Sequence, residues 1–137
     1  LADSLKRIAH AGFRYVEILA DTPHAELNLT RPSEYDILLP QLEILQLSVC
    51  NVNANTVRCM SSGNAEDFSA FRPSLFETNP IARRKRVSYT RKAIRLAAVL
   101  GSPVCTIATA PLQTGVSKSK ALSLLHDSLD ELVDYAD

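Results

Sequence analysis

Three times along this chain a helical pattern gives way, within a few residues, to a short β-rich run, and this rhythm limits the fold more than any other feature. KRIAHAG precedes Tyr15-Val16-Glu17-Ile18-Leu19, LPQLEILQ precedes the run 47–53, and IRLAAVLG precedes the run 103–109. Two of the three helices end on Gly; the middle one lacks it. Strands that alternate with helical segments of ten or more residues are joined by crossovers, so they lie parallel in an α/β sheet or barrel. Ligands of such folds gather beyond the carboxyl ends of the strands, and that is where polar groups carry weight.

Composition narrows the classes. At 137 residues and 46% hydrophobic content the chain can form one core, with no sign of a second domain. Fifteen Lys and Arg balance fifteen Asp and Glu. Without a field of one sign, neither nucleic acid nor an anionic membrane surface is an expected partner. Cys50, Cys59 and Cys105 are odd in number and lack C-x-x-C spacing, which argues against a disulfide framework or zinc ribbon and for a reducing, cytoplasmic setting. No apolar run reaches the roughly 18 residues that a spanning helix needs.

The first eleven residues read as a helix with Ser4 as N-cap and Leu5, Ile8 and Ala9 on one face. Residues 33–46 carry Leu38, Leu42 and Leu45 at helical spacing, with Pro40 expected to bend or split the helix. Asn79 as N-cap and Pro80 in the first turn open a long helix that ends at Gly101. Leu122, Leu125, Leu129, Leu132, Val133 and Ala136 form the stripe of a last amphipathic helix. Between Asn53 and Thr78 runs a long irregular excursion, of a kind that is usually functional or mobile. Three parallel strands alone would leave open edges. The chain therefore reads as residues 1–137 of one incomplete domain.

Candidate site residues follow from strand geometry. In the first strand Glu17 alternates with Val16 and Ile18, and points away from the apolar side. It is an acceptor or base in a site, the counter-ion of a buried Lys or Arg, or a strand-end residue in water. In the second strand Leu47, Val49, Asn51, Asn53 and Asn55 share one alternation that turns from apolar to amide, as the interior of a barrel does toward its mouth. Amides donate and accept at once, which suits hydroxyl-rich ligands, although Asn also stands at strand ends for its own backbone hydrogen bonds. His24, in the loop after Glu17, is the one histidine that follows a strand; His10 and His126 read as surface residues of helices. The basic run Arg83-Arg84-Lys85-Arg86 reads as a solvated helix face. Dinucleotide, P-loop, nucleophile-elbow and zinc-protease motifs are absent from the sequence.

Taken in order, L-x-R-I-A-x-A-G-F-x-Y-V-E-I, D-T-P-H, S-V-C-N-V-N-A-N-T and R-P-S-L-F-E-T-N-P-I-A-R-R-K-R-V-S-Y-T-R-K-A-I-R-L-A-A-V-L-G-S-P-V resemble the xylose isomerase-like TIM-barrel family of sugar-phosphate isomerases and epimerases. The resemblance implies a partial (β/α)8 barrel: strands 15–19, 47–53 and 103–109 with about four helices, lacking the first strand and the later ones. It implies a divalent-metal-dependent sugar or polyol isomerase or epimerase working by proton transfer through an enediolate. Its metal (Mn, Mg, Co or Zn) and its catalytic acid and base would be held by residues after Asp137, so this segment binds no metal and is expected to be inactive alone. Glu17, His24, Asn53 and Asn55 would line the substrate rim, and a homo-oligomer is compatible. Thr109-Ala110-Pro111 departs from the family's Gly-rich turn, which weakens the expectation of a close backbone approach to ligand there. Alternatives are a barrel that binds without turnover and, further off, an abasic-site endonuclease relative.

Overall fold

The computed structural model describes residues 1–55, 60 and 71–137. Its helices and strands follow in the order α1 (Ala2–His10), β1 (Tyr15–Leu19), a 3-10 turn (Pro32–Leu38), α2 (Leu39–Ile44), β2 (Ser48–Asn53), α3 (Pro80–Val99), β3 (Cys105–Thr106) and α4 (Lys118–Ala136). The strands form one parallel sheet in the order β1-β2-β3. Among the described residues both outer edges are open, so the sheet is an arc and not a closed barrel.

Each of the three helices that precede a strand passes to it through one residue with left-handed backbone. Gly12 (φ 89°) and Gly101 (φ 67°) do this after α1 and α3, and Gln46 (φ 52°) does it after α2. The missing Gly of the middle unit is thus a residue that carries a side chain into a conformation costing roughly 1–2 kcal/mol. At the other end of α3, Asn79 Oδ1 accepts from the N–H groups of Ile81 (2.9 Å) and Ala82 (3.3 Å), and Pro80 fills the first turn. These are the cap and first-turn residue that the sequence predicts.

Several expectations need correction. Leu1, not Ser4, stands at the N-cap of α1. Pro40 splits the 33–46 segment: the first half is a 3-10 turn, and α2 begins at Leu39 with the proline in its first turn, where a missing N–H costs nothing. The run 103–109 contributes only Cys105 and Thr106 to the ladder. Pro103 has no N–H to give, and among the described residues the strand has a partner on one side only. On α4 the buried positions are Ala121, Leu124, Ser128 and Leu132, whereas Leu122 and Val133 are exposed. Cys59, and most of the excursion expected to be irregular (56–59 and 61–70), lie outside the described residues.

The core lies on one side of the sheet. Val16, Ile18, Val49 and Val52 meet Tyr89, Ala93, Leu96 and Ala97 of α3, with Leu5 of α1 and Leu42 of α2 closing the flanks. Arg86, expected in water, is fully buried there, and its Nη2 donates to the Ala54 carbonyl at 2.8 Å. Of the basic run only Arg84 and Lys85 are exposed, because four consecutive helical residues point in four directions and Arg86 takes the inward one. Along the free edge of β3 a groove of about 350 Å³ opens between α3 and α4, lined by Ile94, Ala97, Val104, Cys105, Leu129 and Val133. Among the described residues no helix is long and apolar enough to cross a membrane.

Candidate functional site

The opposite face of the sheet is polar, and a bulge makes it so. Val16 pairs with Val49, but Glu17 pairs with Asn51, so one extra residue of β2 is inserted at that point. Before the insertion Leu47 and Val49 point to the core; after it Val52 does, and Asn51 and Asn53 point the other way. The single alternation from Leu47 to Asn55 expected from sequence is therefore broken. There is no gradient along one face. A bulge turns the amides onto the side where Glu17 stands.

There they form a connected row across all three strands. Glu17 Oε2 accepts from Asn51 Nδ2, and Glu17 Oε1 accepts from Asn53 Nδ2 at 2.9 Å. On the far side of Asn51, its Oδ1 accepts from the Thr106 hydroxyl at 3.0 Å. Every amide orientation follows: a carboxylate can only accept, so both Asn side chains turn their NH2 groups toward Glu17. Each NH2 keeps a second N–H, the carboxylate keeps spare lone pairs, and Thr106, having donated, presents an acceptor. Such a floor can exchange hydrogen bonds with several hydroxyl groups at once.

Of the expected residues, Glu17 and Asn53 lie in this row. Asn55 does not. Its N–H donates to Asn53 Oδ1 at 3.0 Å in a turn just past the strand, so Asn53 both faces the row and closes its own backbone turn. The Asn55 Oδ1 is buried and, among the described residues, without a hydrogen-bond partner. His24 is exposed in the loop after β1, where its N–H donates to the Asp21 carbonyl at 2.8 Å. With Glu17, Leu19, Ser4 and Ile8 it lines a cavity of about 150 Å³ at the free edge of β1. His10 is exposed, and His126, 3.4 Å from Asp130, is exposed too.

Sequence reasoning does not single out Asn51 and Thr106 as site residues. Asn51 is placed on the right strand, but its role depends on the bulge, which no residue type announces. Thr106 could be found only by assuming register between β2 and β3. The cations near the strand ends turn elsewhere: Arg72 binds Glu77 and the Pro111 carbonyl, Arg83 binds the Glu77 carbonyl, and Arg86 binds Ala54. Close beneath, the Cys105 thiol is pushed up to about 11 by burial, against the opposing pull of Arg86. Among the described residues no group of three or more His, Cys, Asp or Glu side chains could hold a metal ion. Glu17, the one carboxylate of the row, is already engaged by two amides.

No family model matches this sequence, and no curated protein does. Solved structures do match its fold. A D-tagatose 3-epimerase-like protein superposes with a TM-score of 0.74 at 22% identity over 99% of this chain and 45% of its own. D-psicose 3-epimerase, in a structure determined in the presence of D-fructose, gives 0.69 at 11% identity over 98% and 42%. A xylose isomerase domain protein from Planctomyces limnophilus gives 0.66 at 15% identity over 97% and 46%. The chain spans less than half the length of each. At these identities the likeness is one of fold: an open parallel α/β arc of the kind that makes up about half of a TIM barrel.

Proposed function

We propose that residues 1–137 are the amino-terminal arc of a divalent-metal-dependent sugar or polyol isomerase or epimerase, and that the Glu17–Asn51–Asn53–Thr106 row is part of its substrate floor. The observation that carries this reading is the row itself, which is continuous across three parallel strands on the face away from the core. The fold likeness to proteins named as ketose epimerases and a xylose isomerase domain protein supports it. So do the open edges. The cavity beside β1 and the apolar groove beside β3 are each bounded by a helix and a free strand edge, as expected where neighbouring strands would seat.

In this reading the arc binds and orients substrate, and does no proton transfer itself. A divalent cation on residues outside this arc would stabilise the negative charge that builds on an enediolate oxygen. Glu17 accepts from one or two sugar hydroxyls, the spare N–H groups of Asn51 and Asn53 donate to neighbouring oxygens, and Thr106 accepts. The buried Asn55 Oδ1, without a partner among the described residues, offers one more acceptor just past the row. His24 closes the rim above Glu17. The charge of the row is negative and the described cations near it are engaged, so the arc favours an uncharged polyhydroxy ligand over a phosphorylated one.

The test is kinetic. In the protein as its gene encodes it, supplied with Mn2+ and assayed on D-fructose and related ketoses, His24→Ala and Asn53→Ala should raise KM severalfold and leave metal affinity unchanged. Turnover of no ketose, with sugar binding retained, would favour the non-catalytic barrel. Unchanged KM in both variants would remove the row and rim from the site.

A further inference from the structure

Glu77 is a carboxylate with only 7% of its side chain exposed, at the turn that leads into α3. Its Oε1 accepts from Arg72 Nη1 (2.7 Å), from the Ser74 N–H (3.0 Å) and from the Ser74 hydroxyl (3.3 Å). Its Oε2 accepts from Gln113 Nε2 at 2.5 Å. The second arm of Arg72 donates to the Pro111 carbonyl at 2.7 Å. Bonds to Ser74 only close a local turn. Those to Gln113 and Pro111 cross to the loop that leaves β3 directly after Thr106, the last member of the polar row.

We propose that Arg72, Glu77 and Gln113 form a positioning clasp that fixes the loop leading into α3 against the loop leaving β3, so that both stand as one rigid wall beside the strand ends. The part it plays in binding rests on the reading of the row as a ligand floor. One general consideration and one observation favour a device of geometry over one of stability. Apolar packing of the same volume often stabilises as well as a buried ion pair does, and in some proteins such a pair serves to select an arrangement. Next to Arg72, Phe71 is held at φ 69°, a backbone conformation that a residue with a side chain keeps only where its surroundings determine it. Phe71 and Val116, one from each loop, pack against Phe76, Ala110 and Leu124, an apolar contact between the same two loops.

The experiment uses Arg72→Lys and Gln113→Leu in the protein as its gene encodes it. Lysine keeps the charge beside Glu77, yet as a single ammonium it cannot reach carboxylate and carbonyl in the fork that Arg makes. Gln113→Leu removes the cross-loop bonds to Glu77 and Thr78 and leaves the Arg72–Glu77 pair. Amide hydrogen exchange is read for residues 71–78, 107–117 and the strands, alongside titration with D-fructose and with Mn2+. Both variants should speed exchange about tenfold or more in both loops together, leave β1 and β2 within twofold, and weaken D-fructose binding about tenfold at constant Mn2+ affinity. Faster exchange in one loop alone, a uniform rise through the strands, or unchanged D-fructose affinity with loosened loops would overturn the clasp. If the wild-type protein binds no D-fructose, the proposed function fails, and coupled exchange of the two loops still decides whether the clasp exists.

Discussion

Replacing Glu17 by Gln tests the donor and acceptor order of the polar row directly. Gln matches Glu in shape, but one of its two terminal atoms becomes an NH2, which cannot face the NH2 of Asn51 or Asn53. One asparagine must turn over. Asn53 is held, because its Oδ1 already accepts from the Asn55 N–H; Asn51 is free to flip, because a hydroxyl on its far side can accept as well as donate. After the flip Thr106 receives a hydrogen bond and turns its own O–H outward, so the floor donates where it had accepted. Two charge-assisted bonds become neutral ones, a loss of about 1 kcal/mol each if buried. The row is open to water in this arc, so stability should fall by less than about 1 kcal/mol, a Tm change under about 4 °C. A ligand lying over the row excludes that water, and its affinity should fall by about 1–2 kcal/mol, roughly 5- to 30-fold in Kd for D-fructose. The double variant Glu17→Gln with Asn51→Asp restores the order. The amide introduced on β1 donates to the carboxylate introduced on β2, Asn53 still donates to the oxygen of that amide, and Thr106 again donates to a carboxylate. Titration calorimetry on the four proteins of this cycle should give a favourable coupling of about 1 kcal/mol. A double variant no better than Glu17→Gln alone would refute the hydrogen-bond order and the reasoning built on it.

Other consequences can be measured on the fold itself. Gln46→Gly should stabilise the protein by about 0.5–1 kcal/mol in chemical denaturation, since it relieves a left-handed backbone, whereas Gly101→Ala should cost about 1 kcal/mol for the same reason in reverse. Nothing lies within 4 Å of the added methyl of Gly101→Ala, so its cost is the backbone's alone. The Cys105 thiol, raised to about 11 from 9.0, binds its proton more tightly folded than unfolded; stability it contributes is intact below pH 9 and is lost as pH rises toward 11. Cys105→Ala should flatten the fall in stability across that window, and at pH 8 Cys105 should alkylate far more slowly than exposed Cys50, as peptide mapping would show. Ser128→Ala removes the bond to the Leu75 carbonyl (2.6 Å) that ties α4 to the turn before α3, and should cost about 1–3 kcal/mol by thermal melting.

The rhythm of helix and strand was legible because its signals are local. Asn79-Pro80 starts α3 and Gly101 ends it whatever lies around them, and alternation alone separates Glu17 from Val16 and Ile18. What stayed hidden depended on neighbours. The bulge at Cys50-Asn51 exists because β1 and β2 settle into register with one residue to spare, and it sends Asn51 to the face of Glu17 rather than prolonging the face of Leu47. Arg86 reads as a surface cation until the Ala54 carbonyl is placed beside it. The Glu77 clasp joins residues 36 and 39 positions apart, a separation that no pattern in the chain encodes. Leu122 and Val133 look like core on a helical wheel, but α4 packs through Ala121, Leu124, Ser128 and Leu132, which leaves them exposed.

The central claim is that the polar face of this arc receives a polyhydroxy ligand on Glu17, Asn51, Asn53 and Thr106. It is tested most directly by a crystal structure of the protein, as its gene encodes it, grown with D-fructose and Mn2+. Sugar hydroxyls should then lie within about 3 Å of Glu17 and of at least one of the two asparagines. Sugar bound elsewhere, with the row covered by protein side chains, would contradict the claim.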